Sequence, residues 1–381
     1  METDFDRYIS REFSTVVVQP TSLCNLDCSY CYLPGRKQRR EMTPEVAHAV
    51  ARSIAAQDAS HPVSVVWHGG EPLALPRMRF EALLRPFEEL REQGMIQHEI
   101  QTNATLITSG WCDLFARYGI GVGVSVDGPA VANINRRDWI GRPAFDRVMR
   151  GIGHLRDAGI EFTAICVVSP ETIENTDSIA DFFETLGCDS VGFNIEEREG
   201  DNGDRPQVTY DTARAFWARL IQRRRNGSHL RVRDIDRLFR YLGMVRAGRK
   251  ATWAASKYDP IPTIAHNGDT VILSPELSGV SAPEYGNFVI GNVLREPLPV
   301  MLGRAHKVRY VQEFTTALNM CREGCPLFSF CLGAQAGNRY FECGTFAVAE
   351  TNYCRNTRQA LVMALADVAQ EGDESDRIRQ T

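Results

Sequence analysis

The sequence predicts an α/β protein whose parallel β-sheet is closed or partly closed into a barrel, with a smaller cysteine-rich domain after it. Six short apolar runs rich in β-branched residues alternate with amphipathic helical runs over residues 14–194, and this repetition is typical of a parallel sheet. Hydrophobic residues make up 43% of the 381 positions, enough for one large core and a smaller one. Most of the eleven cysteines fall into two groups, one near each end of the chain.

Strands and helices can be placed from the hydrophobic pattern. The predicted strands are residues 15–18, 63–67, 98–102, 121–126, 162–168 and 190–193. Helices are predicted at 43–54, 145–158, 169–186, 210–225 and 232–247. In the first of them, Pro44 suits a first helical turn. Val46, Val50 and Ile54 then recur every four residues and form one apolar face.

Polar or glycine-containing motifs follow the first four strands. The cysteine loop 24–31 follows the first strand, 68–72 the second, 102–104 the third and 127–129 the fourth. The carboxyl ends of parallel strands lie at one face of a barrel, where the loops carry the active sites of such folds. We therefore expect these four motifs to meet at a single site.

Composition suggests how the chain is divided. Residues 196–206 are polar and rich in turn-forming residues, which indicates a domain boundary. The expected parts are a barrel at 1–200, a helical linker or bridging region at 201–260, a cysteine-containing domain at 261–368 and a flexible tail at 369–381. The tail is strongly charged, a composition typical of disorder.

Charge and hydropathy argue against several classes of protein. A net charge of −5 gives no general attraction to nucleic acid or to a membrane surface. Residues 1–6 are acidic and lack the apolar segment of a secretory signal, and no run of 18 apolar residues is present to span a membrane. We expect a cytoplasmic protein that binds neither nucleic acid nor membrane.

The first cysteine group has C-x3-C-x2-C spacing and consists of Cys24, Cys28 and Cys31. In a reducing cytosol, clustered cysteines indicate metal or cluster ligation rather than disulfides. A [4Fe–4S] cluster takes one thiolate per iron, so three cysteines leave one iron free for another ligand. The alternative is a zinc site completed by a fourth thiolate from the distant second group.

This loop resembles the signature of the radical S-adenosylmethionine (SAM) superfamily, with Tyr30 at the family's aromatic position. The resemblance implies a partial (β/α)6 TIM barrel, a [4Fe–4S] cluster on the three cysteines, and SAM bound to the open iron through its amino and carboxylate groups. Gly69-Gly70-Glu71 resembles the family's GGE motif, which binds the SAM amino group. By itself this tripeptide is also compatible with a plain turn.

Other residues at strand ends match the SAM pocket of the family. The resemblance assigns Asn103 to this pocket and places Ser125 and Asp127 near the ribose, although such residues also serve as helix caps. An arginine is expected near the SAM carboxylate. Counting from either side of this segment leaves Arg136 and Arg137 as equal candidates, and the His-Asp pair of related enzymes is missing.

The second cysteine group resembles, in part, the SPASM domain of peptide-modifying radical SAM enzymes. One auxiliary [4Fe–4S] cluster is matched by Cys321, Cys325, Cys331 and Cys354. The family's next cysteine is replaced by Gln335, and residues 264–293 contain no cysteine, so a second auxiliary cluster is not expected. Cys343 is expected to replace a residue that is not a ligand. A structural zinc site is the alternative for this group.

The resemblance narrows to maturases that form cyclophanes by joining an aromatic ring to a nearby side-chain β-carbon of a precursor peptide. It rests on segments 274–279, 285–288, 291–293 and 341–346. It implies a ribosomally made precursor peptide as substrate and a reducing electron donor such as flavodoxin or ferredoxin. Formylglycine formation and thioether formation are the alternatives among enzymes. A non-catalytic zinc- or cluster-bearing binding protein is the alternative outside them.

A basic run at residues 36–40 follows the cysteine loop. One interpretation is a solvated loop. The other is a contact for an acidic peptide or for an electron donor, since charge complementarity steers such encounters.

Overall fold

One mixed sheet organises the computed structural model, which describes residues 4–57, 59 and 61–379. Within that part of the chain the strands are β1 (Thr15–Val18), β2 (Val63–Trp67), β3 (Ile96–Thr102), β4 (Gly121–Ser125), β5 (Phe162–Val168), β6 (Val191–Ile195), β7 (Thr263–Ile264), β8 (Asp269–Val271) and β9 (Gly291–Asn292). Their order across the sheet is β6-β5-β4-β3-β2-β1-β7-β8-β9. The six predicted strands are confirmed, with bounds that differ by two residues or fewer.

Strands β1 to β6 run parallel to one another, and their carboxyl ends are in register. Val18 pairs with Trp67, Trp67 with Ile100, and Thr102 with Val124. This register brings the loops that follow successive strands to one edge of the sheet, as the alternating β-α pattern predicts.

Helices alternate with the strands and continue beyond them. They are α1 (Asp4–Tyr8), α2 (Pro44–Ala55), α3 (Arg77–Leu84), α4 (Glu88–Glu92), α5 (Ser109–Tyr118), α6 (Phe145–Asp157), α7 (Thr176–Leu186), α8 (Tyr210–Arg225), α9 (Arg233–Arg246), α10 (Lys250–Ala254), α11 (Leu298–Arg304), α12 (Arg309–Gly324), α13 (Phe328–Cys331), α14 (Gly337–Cys343) and α15 (Ala360–Arg379). The start predicted for α7 at residue 169 is wrong. The Thr172 hydroxyl accepts a hydrogen bond from the Ser169 amide and closes a turn before the helix.

The sheet does not stop at β1, and the C-terminal region is joined to the barrel through it. Strand β7 pairs in parallel with β1 through Val17 and Thr263 and through Val18 and Ile264. Strands β8 and β9 then continue the sheet in antiparallel pairing. An edge strand with free backbone groups is a liability, and β7 covers the edge that β1 would otherwise expose.

Aromatic packing fixes the position of the central strands. The Trp67 ring meets Phe80 edge to face at 5.2 Å and Phe87 at 5.8 Å, and its indole N–H donates to His98 Nδ1 at 3.2 Å. Burial lowers the pKa of His98 to about 4, so this histidine is neutral and can accept the hydrogen bond. Strands β2 and β3 are therefore held together just before the loops that carry the site.

The region predicted as a flexible tail begins as helix. Helix α15 includes residues 369–379, and it packs along α8, where Arg214 pairs with Asp367 at 2.6 Å. The apolar residues before the charged segment anchor α15 on this neighbour, and the charged residues continue its turns. Residues 380 and 381 lie outside the described part. Among the described residues, no helix is long and apolar enough to cross a membrane.

Candidate active site

A cavity of about 530 Å³ lies at the carboxyl ends of β1 to β6. The predicted site residues that line it are Cys24, Cys28, Tyr30, Cys31, Gly69, Gly70, Glu71, Asn103, Ser125 and Arg136. Three of the four motifs, those at 24–31, 68–72 and 102–104, therefore meet around one space, as their positions after the strands predict. The end of β4 contributes Ser125, and the fourth motif, 127–129, does not line the cavity.

The cysteine loop is held by its backbone. The Cys24 amide donates to the Arg36 carbonyl at 3.0 Å, and the Cys31 amide donates to the Cys28 carbonyl at 3.1 Å. The Trp139 indole N–H donates to the Cys24 carbonyl at 2.8 Å, and Arg36 Nη1 donates to the Cys28 carbonyl at 3.2 Å. The start of the basic run is thus part of the loop's framework, and only its later residues face solvent.

The three thiols are suited to a bound iron–sulfur cluster. Burial raises the pKa of all three thiols, and that of Cys28 reaches about 11. The thiols are therefore protonated at neutral pH when nothing is bound. A bound cation reverses this shift, because a coordinating thiol loses its proton. A single zinc ion needs ligands about 2.0–2.3 Å away. Within the described ranges no three His, Cys, Asp or Glu side chains are placed to share one ion.

Gly69 and Gly70 allow the end of β2 to lie directly against the cysteine loop. Gly69 has φ of +129°, a conformation that favours glycine. A Cβ on Gly70 would meet the Leu23 carbonyl oxygen at 2.3 Å and that of Ser22 at 2.5 Å. The Gly70 amide donates to the Thr21 carbonyl at 3.1 Å. The glycines therefore have a structural reason to be here in addition to any contact with a ligand.

Replacing Gly70 with Ala should destabilise the fold by roughly 1–3 kcal/mol, because backbone atoms that cannot move freely would clash with the new methyl group. The matched control is Gly153→Ala in α6, where a Cβ meets nothing within 4 Å. This control should gain about 0.5–1 kcal/mol from its helical position. Urea unfolding of both variants measures the difference. Equal stability of the two variants would show that the loop and β2 are not in close contact.

Glu71 joins the ends of β2 and β3. Its side chain is 1% exposed and accepts hydrogen bonds from the Thr102 hydroxyl at 2.6 Å, the Asn103 amide at 2.8 Å and the Leu73 amide at 3.1 Å. Burial raises the pKa of Glu71, and these three donors act in the opposite direction. The carboxylate is thereby fixed at the cavity wall, where it can receive a further donor such as an ammonium group.

Asn103 and Ser125 are oriented by neighbouring polar side chains. Asn103 Nδ2 donates to Asn25 Oδ1 at 2.9 Å and lies 3.9 Å from Cys24 Sγ. Gln101 Nε2 donates to Ser125 Oγ at 2.8 Å. Asn103 therefore stands beside the first cysteine, and Ser125 faces the cavity from the end of β4.

Asp127 lies below the cavity wall rather than on it. The carboxylate is 1% exposed and pairs with Arg136 Nε at 3.0 Å. It also accepts hydrogen bonds from the Tyr30 hydroxyl at 2.7 Å and the Val167 amide at 3.0 Å. With these partners, Asp127 positions Arg136 and Tyr30. The expected contact between Asp127 and a ribose is not supported by this placement.

The two candidate arginines point in different directions. Arg136 is 5% exposed and lines the cavity. Arg137 is exposed, and its guanidinium donates to the carbonyls of Ile134 at 2.8 Å and Gly141 at 3.1 Å. Its own carbonyl accepts from the Asp27 amide at 2.7 Å. The geometry therefore favours Arg136 of the two.

Several cavity residues follow β6, in the segment that sequence analysis assigns to a domain boundary. Glu196, Glu199 and Asn202 are buried, and Glu197 lines the same cavity. Asn202 Nδ2 donates to the Tyr30 carbonyl at 2.8 Å. The rule that polar motifs after strands belong to the site, applied to the sixth strand as well as the first four, would have identified them.

Two of these carboxylates, Glu197 and Glu199, lie near Glu276 of the C-terminal region. Burial and repulsion by Glu199, Glu342 and Glu276 raise the pKa of Glu197. Burial and the charge of Glu276 raise the pKa of Glu199. In the part of the chain whose side chains are described, Glu197, Glu199 and Glu276 form no ion pair within 4.0 Å. This wall of the cavity is acidic and able to hold protons.

The C-terminal region supplies the rest of the cavity and brings its own cysteines close together. Gln335, Tyr353 and Arg358 line the cavity. Burial, together with the neighbouring thiols of the group, raises the pKa of Cys354 to about 12. The members of that group are Cys321, Cys325, Cys331 and Cys354. Cys343 is exposed, which is consistent with a position outside the ligand set.

Comparison with known proteins places this geometry in a family. Residues 18–183 match the Radical SAM superfamily. An uncharacterized protein of Synechocystis, sll1766, is 32% identical over 351 residues, which cover 89% of this chain and 88% of that protein. A serine-type anaerobic sulfatase-maturating enzyme of Bacteroides thetaiotaomicron is 31% identical over 186 residues, which cover 47% of this chain and 45% of the enzyme.

Solved structures show the same fold at lower sequence identity. The anSMEcpe structure with bound AdoMet and Cp18Cys peptide has a TM-score of 0.76 at 20% identity, covering 94% of this chain and 99% of that chain. Streptococcus suis SuiB bound to precursor peptide SuiA has a TM-score of 0.64 at 18% identity, covering 91% and 76%. With the cysteine loop and its cavity at the strand ends, these matches show that residues 18–183 are similar to the Radical SAM superfamily, that the solved structures share the fold, and that the chain belongs to the same family as the Synechocystis protein.

Proposed function

We propose that this protein is a maturase of a ribosomally synthesised precursor peptide, in which it joins a side-chain β-carbon to an aromatic ring. The observation that carries the proposal is the single cavity that places Cys24, Cys28 and Cys31 opposite side chains of the C-terminal cysteine region. When bound, a reduced [4Fe–4S] cluster and SAM supply a 5′-deoxyadenosyl radical, which removes hydrogen from unactivated carbon. The residues of the chain bind these groups, orient the peptide and exclude water.

The cavity residues have distinct binding roles in this proposal. Cys24, Cys28 and Cys31 hold the cluster, and Glu71 accepts hydrogen bonds from the SAM ammonium group. Arg136 faces the SAM carboxylate with its charge, held in place by Asp127 at 3.0 Å. Asn103, Ser125 and Tyr30 complete the pocket beside the cluster loop.

Replacing Arg136 with Ala should weaken SAM binding more than about tenfold, because a hydrogen bond to a charged group contributes ~1.5–3 kcal/mol. It should also cost roughly 3–5 kcal/mol of stability by leaving Asp127 buried without its partner. Arg137→Ala is the matched control and should change stability by about 1 kcal/mol or less. Calorimetric titration of SAM and urea unfolding measure the two effects. Weaker SAM binding in the Arg137 variant alone would reverse the assignment.

The peptide reaches this cavity from the surface beside the C-terminal region. A groove lined by Tyr340, Phe341 and Glu342 shares Glu199 with the cavity, so an extended chain can lie in the groove while one side chain enters. The aromatic side chains of the groove offer apolar contact area, and the acidic wall limits which side chains are accepted. Exclusion of stray hydrogen-atom donors from the cavity prevents the carbon radical from being quenched before it reacts.

The second cysteine group is proposed to hold one auxiliary [4Fe–4S] cluster on Cys321, Cys325, Cys331 and Cys354. Tyr353 adjoins the last of these in sequence and lines the cavity. The group is therefore next to the substrate, where it can take the electron that the substrate loses or anchor the substrate. Measurement of iron and sulfide content tests both sites together, since two cubane clusters correspond to about eight irons per chain. Zinc without sulfide would instead identify a non-catalytic binding protein.

Cyclophane formation is the preferred reaction because one of the segments that resemble such maturases contributes to the cavity wall. Ser274, Pro275 and Glu276 belong to one of them, and Pro275 and Glu276 line the cavity. Gln335, which stands at the position of the family's next cysteine, also faces it. The β-carbon of the substrate loses a hydrogen atom and attacks the ring, and loss of one electron and one proton restores aromaticity.

Formylglycine formation is the second candidate, and the similarity to sulfatase-maturating enzymes supports it. That similarity covers 47% of this chain and 45% of the Bacteroides enzyme. The geometry of anSMEcpe is reproduced over 94% of this chain. Both reactions begin with removal of hydrogen from a β-carbon and use the same cavity.

Co-expression with the short open reading frame beside the gene, followed by mass spectrometry of the peptide, tests the proposal. Cyclophane formation should remove two hydrogen atoms per link, and the fragment spectrum should lose all cleavages inside the linked motif. Oxidation of serine to formylglycine also removes two hydrogen atoms, but its aldehyde reacts with a hydrazide probe. A hydrazide-reactive product would establish the second candidate, and an unchanged peptide would oppose both.

A reducing protein such as flavodoxin or ferredoxin is the proposed electron donor. Lys37, Arg39 and Arg40 give the surface beside the cysteine loop a positive charge, and Lys37 Nζ lies 4.5 Å from the Trp139 ring, whose indole bonds to the loop. An acidic donor that binds here would approach the cluster closely. The expected signature is electron transfer that slows as salt screens the attraction.

A further inference from the structure

Arg339 is a buried cation with no acidic partner beside the second cysteine group. It is 2% exposed, and its Nη2 donates to the Gly333 carbonyl at 2.6 Å and lies 3.6 Å from Cys321 Sγ. The other guanidinium nitrogen Nη1 donates to the Val348 carbonyl. Its charge is thus solvated by carbonyls and a thiol. Among the described side chains, no carboxylate lies within 4.0 Å of it.

Arg237 is a second cation near this group and is half-buried. Its Nη2 donates to the Cys331 carbonyl at 3.4 Å, and its guanidinium lies 5.8 Å from the rings of both Trp253 and Phe330. Its Nε has no hydrogen-bond partner. No described carboxylate pairs with it either. The nearby Arg358 differs, because it pairs with Asp234 at 3.2 Å.

An unpaired charge in a protein interior is expensive unless an opposite charge compensates it. A [4Fe–4S] cluster on four thiolates carries a net negative charge, which increases by one when the cluster is reduced. Positive charges fixed beside it stabilise the reduced form more than the oxidised form. The net charge and hydrogen bonds around such a cluster set its reduction potential.

We propose that Arg339 and Arg237 are the countercharges of the auxiliary cluster and raise its reduction potential, so that it accepts the electron that the substrate loses. This inference rests on the proposed function, since it requires the cluster on Cys321, Cys325, Cys331 and Cys354. Of the two roles proposed above for the auxiliary cluster, the inference assigns electron acceptance and not substrate anchoring.

The electron and proton of the final step both have a destination. Cys321, Cys325, Cys331 and Cys354 would hold the acceptor, a [4Fe–4S] cluster that would take up the one electron lost by the cyclised substrate radical. The radical gives one proton to a carboxylate of the acidic wall such as Glu197, whose Oε2 has no hydrogen-bond partner among the described residues. Arg237 and Arg358 line the cavity, and Arg237 also contacts Cys331. Arg237 therefore connects the cavity that would hold the substrate to the second cysteine group, which would hold the electron acceptor.

The test is a redox titration of the auxiliary cluster followed by electron paramagnetic resonance. The parent is the full-length chain with Cys24, Cys28 and Cys31 changed to Ala and reconstituted with iron and sulfide, so that one cluster gives the signal. Arg339→Gln and Arg237→Gln should each make one-electron reduction at least tenfold less favourable, a potential lower by 59 mV. Arg339→Lys should retain most of the parent potential, because it keeps the charge.

Arg223→Gln is the matched control, since Arg223 is an arginine of α8 whose charge is paired with Asp177 and Asp181. It should leave the potential unchanged. Unchanged potentials in both test variants would overturn the inference, and so would an equal shift in the control. Neither result would argue against the presence of the auxiliary cluster. If Arg339→Gln fails to fold, Arg237→Gln decides alone. A parent that takes up no iron and sulfide would instead refute the auxiliary cluster of the proposed function.

Discussion

Replacing Cys24 with Ala should reduce 5′-deoxyadenosine formation to the level of a reaction without enzyme. The thiol is one of three in a single loop, and its carbonyl and amide are fixed by Trp139 and Arg36. No described side chain near the loop offers a replacement thiolate, so the cluster would lose an iron or fail to assemble. Chromatography of a dithionite-reduced reaction with SAM measures the product.

The matched control for this experiment is Cys188→Ala. Cys188 is partly buried and does not line the cavity, so SAM cleavage should be unchanged. Continued formation of 5′-deoxyadenosine by the Cys24 variant would contradict the assignment of the loop. Loss of activity in both variants would indicate a general effect of removing cysteines.

Replacing Cys331 with Ala should separate SAM cleavage from product formation. Cys331 is 8% exposed and belongs to the group beyond the cavity wall. The first cluster would remain, so SAM is still cleaved, but the substrate radical would have no acceptor for its electron. We expect 5′-deoxyadenosine without loss of two hydrogen atoms from the peptide. Parallel chromatography and mass spectrometry give both quantities.

Cys343→Ala is the control for this second experiment, because Cys343 is the exposed cysteine of the same region. It should retain both SAM cleavage and peptide product. A Cys331 variant that still forms product at the parent rate would exclude the auxiliary group from catalysis. A Cys343 variant that loses product would extend the ligand set to that residue.

The central strands were predictable because local sequence determines them. The strands at 15–18, 63–67 and 162–168 are short runs of apolar, mostly β-branched residues, and their predicted bounds are those of the structure. Their parallel order then fixes which loops come together, so the convergence of cysteines, glycines and Asn103 followed from topology. For this part of the site, the order of strands and loops along the chain was enough to predict which residues meet.

The choice between Arg136 and Arg137 could not be made from spacing. Two adjacent residues differ in which way their side chains point, and this depends on contacts made elsewhere in the chain. Here the backbone at Arg137 pairs with Pro143, and that at Asp138 pairs with Leu26 of the cysteine loop. These bridges turn Arg136 inward. No local motif marks such long-range pairing.

The same limitation applies to the charged residues around the second cysteine group. Arg339 lies 18 positions from Cys321, while Arg237 lies 94 positions from Cys331. Each looks like an ordinary surface arginine in sequence. Only the fold shows that Arg339 is buried and that neither arginine has a carboxylate partner. The cavity residues after β6 were missed for a related reason, because the turn-forming residues of that segment indicated only a domain boundary, whereas Asn202 bonds to Tyr30.

The pairing of β7 with β1 has a consequence for how the enzyme can open. The Val17 amide donates to the Pro262 carbonyl, and the Gln19 amide donates to the Ile264 carbonyl, each at 2.9 Å. The strand that leads into the cluster loop is therefore bonded to the region that carries the second cysteine group. The two halves cannot swing apart like hinged domains without breaking the sheet. We therefore expect substrate exchange to occur by movement of loops at the cavity mouth. A chain cut before β7 would expose the backbone of β1 to other molecules.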